Sequence, residues 1–223
     1  MKIAVILSGC GVYDGSEIHE ATCTLLNIDK LGAEYQCFAP DISQSTVVNH
    51  CSKQSVDTDS RNVLEESARI ARGEIKNLSD FNTIDFDAVI FPGGSGAVMN
   101  LCNYGTAGNQ CQINDEVART IIDCFESRMP IGAICIAPVL LAQVLGKNGI
   151  AITIGNNPKV AAAIEQVGSV HKNCAADDII VDEKNLIVTT PGYMLAKSIK
   201  EVDTGIAKLV TAIIQLGSKH CLD

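Results

Sequence analysis

Cys135 is the residue in this sequence with the clearest capacity for chemistry. It follows a short apolar run, residues 131–134, and precedes a segment with helical composition from Val139 to Leu145, with Pro138 in its first turn. Proline is favoured there because the first turn of a helix leaves that N–H unused. A cysteine at a sharp strand-to-helix turn projects over the carboxyl edge of a sheet beside free backbone amides, as in a nucleophile elbow.

The helix that follows Cys135 predicts an ionised thiol. A helix N-terminus stabilises a nearby anion, so we expect the pKa of Cys135 to be lowered and the thiolate to be populated. The alternative is a packing role, since the chain has ten cysteines and cysteine is among the most buried residue types. The position of Cys135 at the junction, between small residues and a proline, favours the nucleophile.

Glu20 is the second candidate, because it lies in a predicted helix beside the apolar positions Ile18, Ala21 and Leu25. A carboxyl group at the rim of a buried face is partly desolvated, which raises its pKa and suits it to proton transfer. An ordinary first-turn glutamate, favoured by the helix dipole, is the alternative. We prefer that alternative for Glu17, and both interpretations remain open for Glu20.

A glycine-rich loop at residues 93–96 follows another apolar run and offers backbone amides for an oxyanion, together with the amide of Ile136. Its composition alone is weak support, because it has neither the lysine of a phosphate-binding loop nor the spacing of a dinucleotide fingerprint. No histidine is placed clearly enough to act as a base, and no metal-ligand spacing occurs. The four histidines are His19, His50, His171 and His220.

Strands and helices alternate through most of the sequence, which predicts one α/β domain over residues 1–223 with a mostly parallel, doubly wound sheet. Polar stretches at 41–60 and 103–114 interrupt this pattern as insertions, for which a lid and a dimer contact are both open. Strands are predicted at 2–7, 35–39, 86–91, 131–134 and 151–154, a hairpin at 179–190, and helices at 16–31, 62–72, 114–128, 139–145, 158–167 and 203–216.

The composition narrows the classes of partner. A net charge of −9 and a pI near 4.9, without clustered basic residues, argue against nucleic acid and anionic membranes as partners. The apolar stretch from Met1 to Leu7 is too short for a secretory signal, and the cysteines lack a CxxC pair, so we expect reduced thiols. These features predict a cytoplasmic protein, or a matrix protein if a transit segment has been removed.

Four stretches together resemble the ElbB family, the enhancing lycopene biosynthesis proteins of the PfpI and class I glutamine amidotransferase-like superfamily. The resemblance runs nearly end to end and implies a flavodoxin-like three-layer sandwich, a homodimer, and glyoxalase activity on small 2-oxoaldehydes without a cofactor. It also implies a link to isoprenoid biosynthesis. The stretches are Ile3 to Glu20, which contains the specific motif SGCGVYDGSEIHE, Pro92 to Leu101, Ile134 to Pro138 and Asp177 to Met194.

By position, the resemblance assigns the nucleophile to Cys135 and the acid of the first helix to Glu20. It places the oxyanion-binding loop on Gly94 and Ser95, with Ile136 supplying a second amide. Proteases and amidases of the superfamily have a histidine directly after the nucleophile, where this sequence has Ile136. The difference counts against amide hydrolysis, which needs a proton donor for the leaving amine.

Three hypotheses follow. The first is a glyoxalase in which the Cys135 thiolate attacks methylglyoxal or glyoxal and Glu20 transfers a proton between the two carbons. The second is a redox sensor or stress-protective protein, in which Cys135 is oxidised and Glu20 stabilises the product by a hydrogen bond. The third and weakest is an amidase or deaminase that uses a distant histidine such as His171.

Overall fold

A computed structural model describes the backbone of residues 1–220 and the side chains of residues 1–218. Its central element is a sheet of seven strands, and two small two-stranded sheets lie beside it. The strands are β1 (Lys2–Ile6), β2 (Glu34–Ala39), β3 (Val48–Asn49), β4 (Gln54–Ser55), β5 (Ile75–Asn77), β6 (Ala88–Phe91), β7 (Ile131–Ile134), β8 (Ala151–Ile152), β9 (Val170–His171), β10 (Ile180–Asp182) and β11 (Ile187–Thr190).

The central sheet has the order β10-β11-β7-β6-β1-β2-β5. All neighbouring strands are parallel except β10 and β11, which form the predicted antiparallel hairpin at one edge. The inner strands β1, β6, β7 and β11 are almost wholly buried, which explains the apolar runs in β1, β6 and β7, whereas β11 ends in two buried threonines. The predicted α/β fold with a mostly parallel sheet is confirmed.

Helices cover both faces of this sheet. One face packs against α1, α2 and α8, and the other packs against α3, α5 and α6, with a hydrophobic cluster on each side. The helices are α1 (Ile18–Lys30), α2 (Val63–Ile70), α3 (Ser95–Met99), α4 (Tyr104–Ala107), α5 (Asp115–Glu126), α6 (Pro138–Leu145), α7 (Pro158–Gln166) and α8 (Ile199–His220). None of the helices in the described part is long and apolar enough to cross a membrane.

Several predicted boundaries differ from the structure. Helix α1 begins at Ile18, because Glu17 and not Ser16 caps it by accepting a hydrogen bond from the Glu20 amide. The predicted strand at 151–154 ends at Ile152 and pairs with β9 outside the central sheet. The last helix, predicted at 203–216, begins at Ile199 and extends to His220.

The two polar insertions carry structure that their composition does not predict. Residues 41–60 contain the β3–β4 hairpin, and the Val48 amide donates to the buried Asp14 carboxylate at 2.8 Å. This contact fixes the insertion against the loop that follows β1. In the second insertion, which contains α4, Asn109 donates to the carbonyl oxygen of Ala163 in α7 at 2.9 Å.

Candidate active site

Cys135 lies at the strand-to-helix turn between β7 and α6, at the carboxyl edge of the sheet. Its φ angle is 63°, a left-handed value that is rare for a residue with a side chain. The Cys135 amide donates to the Thr190 carbonyl oxygen at 2.9 Å, and this bond continues the β7–β11 ladder into the turn. A strained, well-anchored turn of this kind is what a nucleophile elbow requires.

Glu20 is fully buried, with an exposed fraction of 0%. Its backbone lies in the first turn of α1, where the Glu20 amide donates to the Glu17 carboxylate at 2.7 Å. Its own carboxyl oxygen Oε1 accepts a hydrogen bond from the Tyr193 amide at 2.9 Å. The other oxygen, Oε2, is buried and has no well-formed hydrogen bond among the described residues, although the Cys135 thiol and the Gly93 amide lie near enough to the carboxyl group to lower its pKa. Glu20 therefore is not an ordinary solvated first-turn glutamate.

Gly93 brings the thiol and the carboxyl group together. A Cβ atom added to this glycine would lie 2.4 Å from the Cβ of Cys135 and 2.4 Å from Oε2 of Glu20. Both groups thus occupy the space that any larger residue at position 93 would need. The structure places Cys135 and Glu20 side by side, with Oε2 as the oxygen on the Gly93 side.

Two backbone amides face the sulfur of Cys135, those of Gly94 and Ile136, and each favours the thiolate form. They come from different loops, after β6 and after β7, and are the donors that an oxyanion hole needs. The Ser95 amide is not available for this role, because it donates to the Val12 carbonyl oxygen at 2.9 Å. Gly94 and Ile136 are therefore brought together with Cys135, whereas the Ser95 amide is not.

Burial controls the ionisation of this pair. Burial raises the pKa of Glu20 to about 8. The hydrogen bond from the Tyr193 amide lowers the same pKa, but its effect is smaller than that of burial. Burial also raises the pKa of Cys135 well above its usual value, and the neighbouring Glu20 carboxylate raises it further. The expectation of a resting thiolate is wrong, since desolvation outweighs the helix N-terminus and the two amides.

At neutral pH the resting pair is accordingly a thiol beside a carboxylic acid. The first proton to leave the pair does so near pH 8, and the remaining negative charge is shared between two adjacent groups. In this singly ionised form the carboxylate can accept the thiol proton as the sulfur attacks a carbonyl carbon. Chemically, this arrangement can serve as a nucleophile with its own general base.

The charged groups that perturb this site are acidic. Glu17 raises the pKa of Glu20, and both carboxylates raise the pKa of Tyr193. Neither a lysine nor an arginine is among the groups that shift the pKa of Glu20, Cys135 or Tyr193 in the described part of the chain. The charges that shift the pKa values of Glu20 and Tyr193 are therefore negative.

The histidines do not form a catalytic dyad with Cys135. His19 is hydrogen-bonded through Nδ1 to the Tyr193 hydroxyl at 2.8 Å, and His50 contacts Asp14 at 3.7 Å. His171 lies in β9, where Nε2 accepts from the Ile154 amide at 3.4 Å, and the His220 side chain lies outside the described residues. Across residues 1–218, the His, Cys, Asp and Glu side chains form no group of three or more that could hold a metal ion.

The turn after β11 completes the site through Thr190 and Tyr193, whose contacts the sequence leaves open. Thr190 supplies the carbonyl oxygen that holds the Cys135 amide, and Tyr193 supplies the amide that holds Glu20. Gly192 lies between them with φ of +49°, and a Cβ atom there would lie 2.4 Å from Oε1 of Glu20. The one signal in the sequence is a Pro-Gly pair directly after a buried strand, which predicts a tight turn but not its contacts.

Comparisons with known proteins give close relatives along the whole chain, although no family model matches. The human protein called glutamine amidotransferase-like class 1 domain-containing protein 3, mitochondrial, is 41% identical over 227 residues, covering 98% of this chain and 84% of that protein. The rat ES1 protein homolog, mitochondrial, is 40% identical and is covered to 85%. These relatives contradict the predicted cytoplasmic location, because they are named as mitochondrial proteins.

Solved structures agree with the fold. An isoprenoid biosynthesis protein with an amidotransferase-like domain from Ehrlichia chaffeensis has a TM-score of 0.90 and 34% identity, with 97% of this chain and 99% of that chain covered. A ThiJ/PfpI domain protein from Brachyspira murdochii shares the fold at 13% identity, with a TM-score of 0.61 and 96% of each chain covered. The predicted placement among the class I glutamine amidotransferase-like proteins is confirmed, and the likeness to the ThiJ/PfpI protein shows a shared fold.

Proposed function

This chain belongs to the glutamine amidotransferase-like class 1, or ES1, family, and from that premise we propose that it is a cofactor-independent glyoxalase. The observation that carries the proposal is the buried pair of Cys135 and Glu20, with two backbone amides facing the sulfur. Conversion of a 2-oxoaldehyde to a 2-hydroxy acid needs one nucleophile and one group that gives and takes a proton. The pair supplies one of each.

The first step is addition of sulfur to the aldehyde carbon of methylglyoxal. The Glu20 carboxylate takes the thiol proton as the carbon–sulfur bond forms, and the aldehyde oxygen becomes an oxyanion. The amides of Gly94 and Ile136 donate to this oxyanion, in a buried setting where such bonds are strong. Glu20 then gives this proton to the oxyanion, so the product of the step is a hemithioacetal on Cys135 and Glu20 is again a carboxylate.

The second step moves a proton between neighbouring carbons. Glu20 removes the hydrogen from the former aldehyde carbon to give an enediol and returns a proton to the adjacent carbon, which yields a thioester of lactate. Water then cleaves the carbon–sulfur bond, releases lactate and restores the thiol. One carbon is oxidised as its neighbour is reduced, so the sequence needs no external oxidant or reductant.

The electrostatics of the site support a small, uncharged aldehyde as substrate. The neighbouring charges are those of Glu17 and, once the pair has lost its first proton, Glu20, and both repel carboxylates and phosphates. Position 136 holds isoleucine where amide-cleaving relatives have a histidine, so a leaving amine lacks its proton donor. Both features weigh against an amidase that uses glutamine.

A redox-sensing role is the second candidate, and one observation favours it. Oε2 of Glu20 is buried beside Cys135 without a well-formed hydrogen bond among the described residues, so it could accept a hydrogen bond from a sulfenic acid on that sulfur. The raised pKa of Cys135 opposes this role, because peroxide reacts with the thiolate and little thiolate exists at neutral pH. We therefore rank the glyoxalase first.

Two features of the whole protein are part of the proposal. We propose that residues 1–223 form one domain and that the protein is a homodimer, as the family resemblance implies. The name of the Ehrlichia chaffeensis relative supports a link to isoprenoid biosynthesis. The proposed activity would contribute to isoprenoid biosynthesis by removing reactive 2-oxoaldehydes from the compartment in which that pathway runs.

The test is lactate formation from methylglyoxal by purified protein, compared with Cys135→Ser and Glu20→Gln. We expect Cys135→Ser to make no lactate above the uncatalysed rate and Glu20→Gln to lose roughly 100-fold or more. Cys51→Ser is the matched control, since Cys51 is an exposed thiol in the β3–β4 hairpin, and it should retain full activity.

Two results would overturn the proposal. One is wild-type protein without lactate formation, and the other is equal rates in wild type and Cys135→Ser. Intact mass after mild peroxide treatment then distinguishes the second candidate, because a sensor would gain oxygen at Cys135 alone.

A further inference from the structure

The turn that follows β11 contacts both members of the proposed catalytic pair. At its start, the Thr190 carbonyl oxygen accepts from the Cys135 amide at 2.9 Å. Three residues later, the Tyr193 amide donates to Oε1 of Glu20 at 2.9 Å. Since Glu20 comes from α1 and Cys135 from the β7–α6 turn, this segment sets the position of one group relative to the other.

The Tyr193 side chain ties the turn to the helix that carries Glu20. Its hydroxyl is hydrogen-bonded to Nδ1 of His19 at 2.8 Å, and the two rings are 5.8 Å apart between centroids. His19 immediately precedes Glu20 in α1. The amide and the hydroxyl of one residue thus contact two consecutive residues in the first turn of α1.

The hydrogen bond from Tyr193 also distinguishes the two oxygens of the Glu20 carboxyl group. Oε1 is held by the Tyr193 amide and closely packed against Gly192, whereas Oε2 lies beside Gly93 and Cys135 without a well-formed hydrogen bond among the described residues. Fixing Oε1 therefore directs Oε2 at the sulfur. A carboxyl group that was free to rotate would lose this orientation.

We propose that Tyr193, anchored by His19, is a positioning residue that aims Oε2 of Glu20 at Cys135. The role rests on the proposed function, because it matters only if Glu20 exchanges protons with Cys135 and its substrate. Tyr193 acts through its amide on Glu20 and through its hydroxyl on His19. It is therefore distinct from the nucleophile and the acid/base.

The variants that test this role are Tyr193→Phe and His19→Leu, each of which removes the anchor and leaves the Tyr193 amide in place. A looser turn weakens the amide hydrogen bond to Oε1, which normally lowers the pKa of Glu20. We expect the midpoint of the pH profile to rise by roughly 0.5, so that activity at pH 7 falls about threefold. His19→Asn keeps a polar atom near the position of Nδ1 and should restore much of the wild-type profile.

Two readouts are needed, and one is independent of turnover. The first is kcat/KM for methylglyoxal against pH, and the second is the rate of iodoacetamide alkylation of Cys135 against pH, followed by peptide mass. Tyr35→Phe is the matched control, because Tyr35 is 44% exposed in β2 and its hydroxyl should not affect the profile. The double variant of Tyr193 and His19 should match either single variant, since both remove one contact.

The outcomes separate this inference from the proposed function. If lactate does not form but the alkylation midpoint rises in Tyr193→Phe and His19→Leu, the glyoxalase is wrong and the positioning role stands. If lactate forms with the Glu20 dependence expected and neither midpoint moves in these variants, the positioning role is wrong. Loss of activity with an unchanged midpoint, or equal effects in Tyr35→Phe, also contradicts it.

Discussion

At the scale of single residues, the site is governed by how strongly Cys135 and Glu20 are removed from water. Glu20 has no exposed surface and Cys135 keeps 7% of its own. Burial of acidic groups favours their neutral forms, and here it raises both pKa values despite nearby backbone amides that favour charge. Under the proposed mechanism, the pair is inert when doubly protonated and reacts after losing one proton.

The pH dependence of turnover follows directly. We predict that kcat/KM for methylglyoxal rises with pH to a plateau, with a midpoint near 8, because the pKa of Glu20 is raised to about 8. At pH 7 roughly a tenth of the molecules carry the singly ionised pair. Initial rates of lactate formation between about pH 6 and pH 9.5 measure the profile, and a plateau already reached at about pH 6 would show a resting thiolate instead.

The raised pKa of Glu20 also predicts a cost in stability. Between its unfolded value of 4.5 and its folded value of about 8, the folded protein holds a proton that the unfolded chain has lost. The free energy of unfolding therefore falls as pH rises through this window. A buried carboxyl group that must ionise to work is in this sense a destabilising residue.

Replacement of Glu20 by glutamine tests that cost. The side-chain amide of glutamine does not titrate, so Glu20→Gln should gain stability relative to wild type by about 3 kcal/mol between pH 5 and pH 8. Urea unfolding of both proteins at the two pH values gives the difference. Parallel curves, with the same gap at both pH values, would mean that the pKa of Glu20 is not raised in the folded protein.

Sequence reasoning identified both residues and misjudged one of their properties. The apolar run before Cys135 and the proline after it predict the turn, because each is a local signal. The charge state of Cys135 is not local, since it depends on the closure of Glu20 and two loops around the sulfur. The sequence shows the helix N-terminus, which lowers the pKa of Cys135, but it does not show the desolvation, which raises this pKa. The direction predicted for the shift was therefore wrong.

At the scale of elements, four connections meet at one edge of the sheet. The loop after β1 leads into α1 with Glu20, and the loop after β6 supplies Gly93 and Gly94. The turn after β7 holds Cys135, and the turn after β11 holds Gly192 and Tyr193. Parallel strands bring these carboxyl ends together, so residues far apart in the sequence become neighbours.

Replacing Gly192 by alanine tests whether a side chain at this position lowers activity by displacing Glu20 or only by straining the backbone. We predict that Gly192→Ala lowers kcat/KM about 100-fold. The added Cβ would overlap Oε1 of Glu20, so the carboxyl group would have to move away from its position beside Cys135. Gly149→Ala is the control, since Gly149 has a similar φ of +66° and open space around it.

Both alanine variants share the strain of a left-handed residue, about 1–2 kcal/mol. Thermal unfolding and lactate formation are measured on both, and Gly149→Ala should be destabilised but active. Equal activities of the two variants would mean that the close approach of Gly192 to Glu20 is unimportant for catalysis.

The elements were predicted best where several residues gave one pattern. Strand β7, helix α5 with its Asn114 cap and the β10–β11 hairpin were recognised from such patterns. Strand β5 was missed, because it has only three residues at the edge of the sheet and is too short to show an alternation of apolar and polar side chains. Strand β8 was predicted as a strand but not its pairing with β9, because apolar composition does not reveal which neighbour a strand pairs with.

At the scale of the whole molecule, the net charge bears on which ligands the protein can attract, and the named relatives bear on its cellular compartment. The net charge of −9 adds to the acidic neighbours of the site and disfavours anionic ligands. The relatives from human and rat are named as mitochondrial, which corrects the location inferred from composition. Composition does not encode a compartment, because cytosolic and matrix proteins can have the same core and surface.

The electrostatic prediction concerns two substrates of similar size. We predict that kcat/KM for the methyl ester of 4,5-dioxopentanoate exceeds that for 4,5-dioxopentanoate itself, a 2-oxoaldehyde with a distal carboxylate, by roughly tenfold or more at low salt. The ratio should narrow as salt is added, since screening weakens repulsion from exposed acidic groups. Equal rates for the two aldehydes at low salt would contradict an acidic site.

The central claim is that the Cys135 sulfur carries the substrate during turnover. The most direct measurement is rapid acid quenching of the protein with methylglyoxal, followed by mass spectrometry of its peptides and a hydroxylamine treatment that cleaves thioesters. The account predicts a hydroxylamine-sensitive lactoyl group on the Cys135 peptide of wild type, and its absence from that peptide in Glu20→Gln. Lactate formed at the wild-type rate with no such group on Cys135 would contradict it.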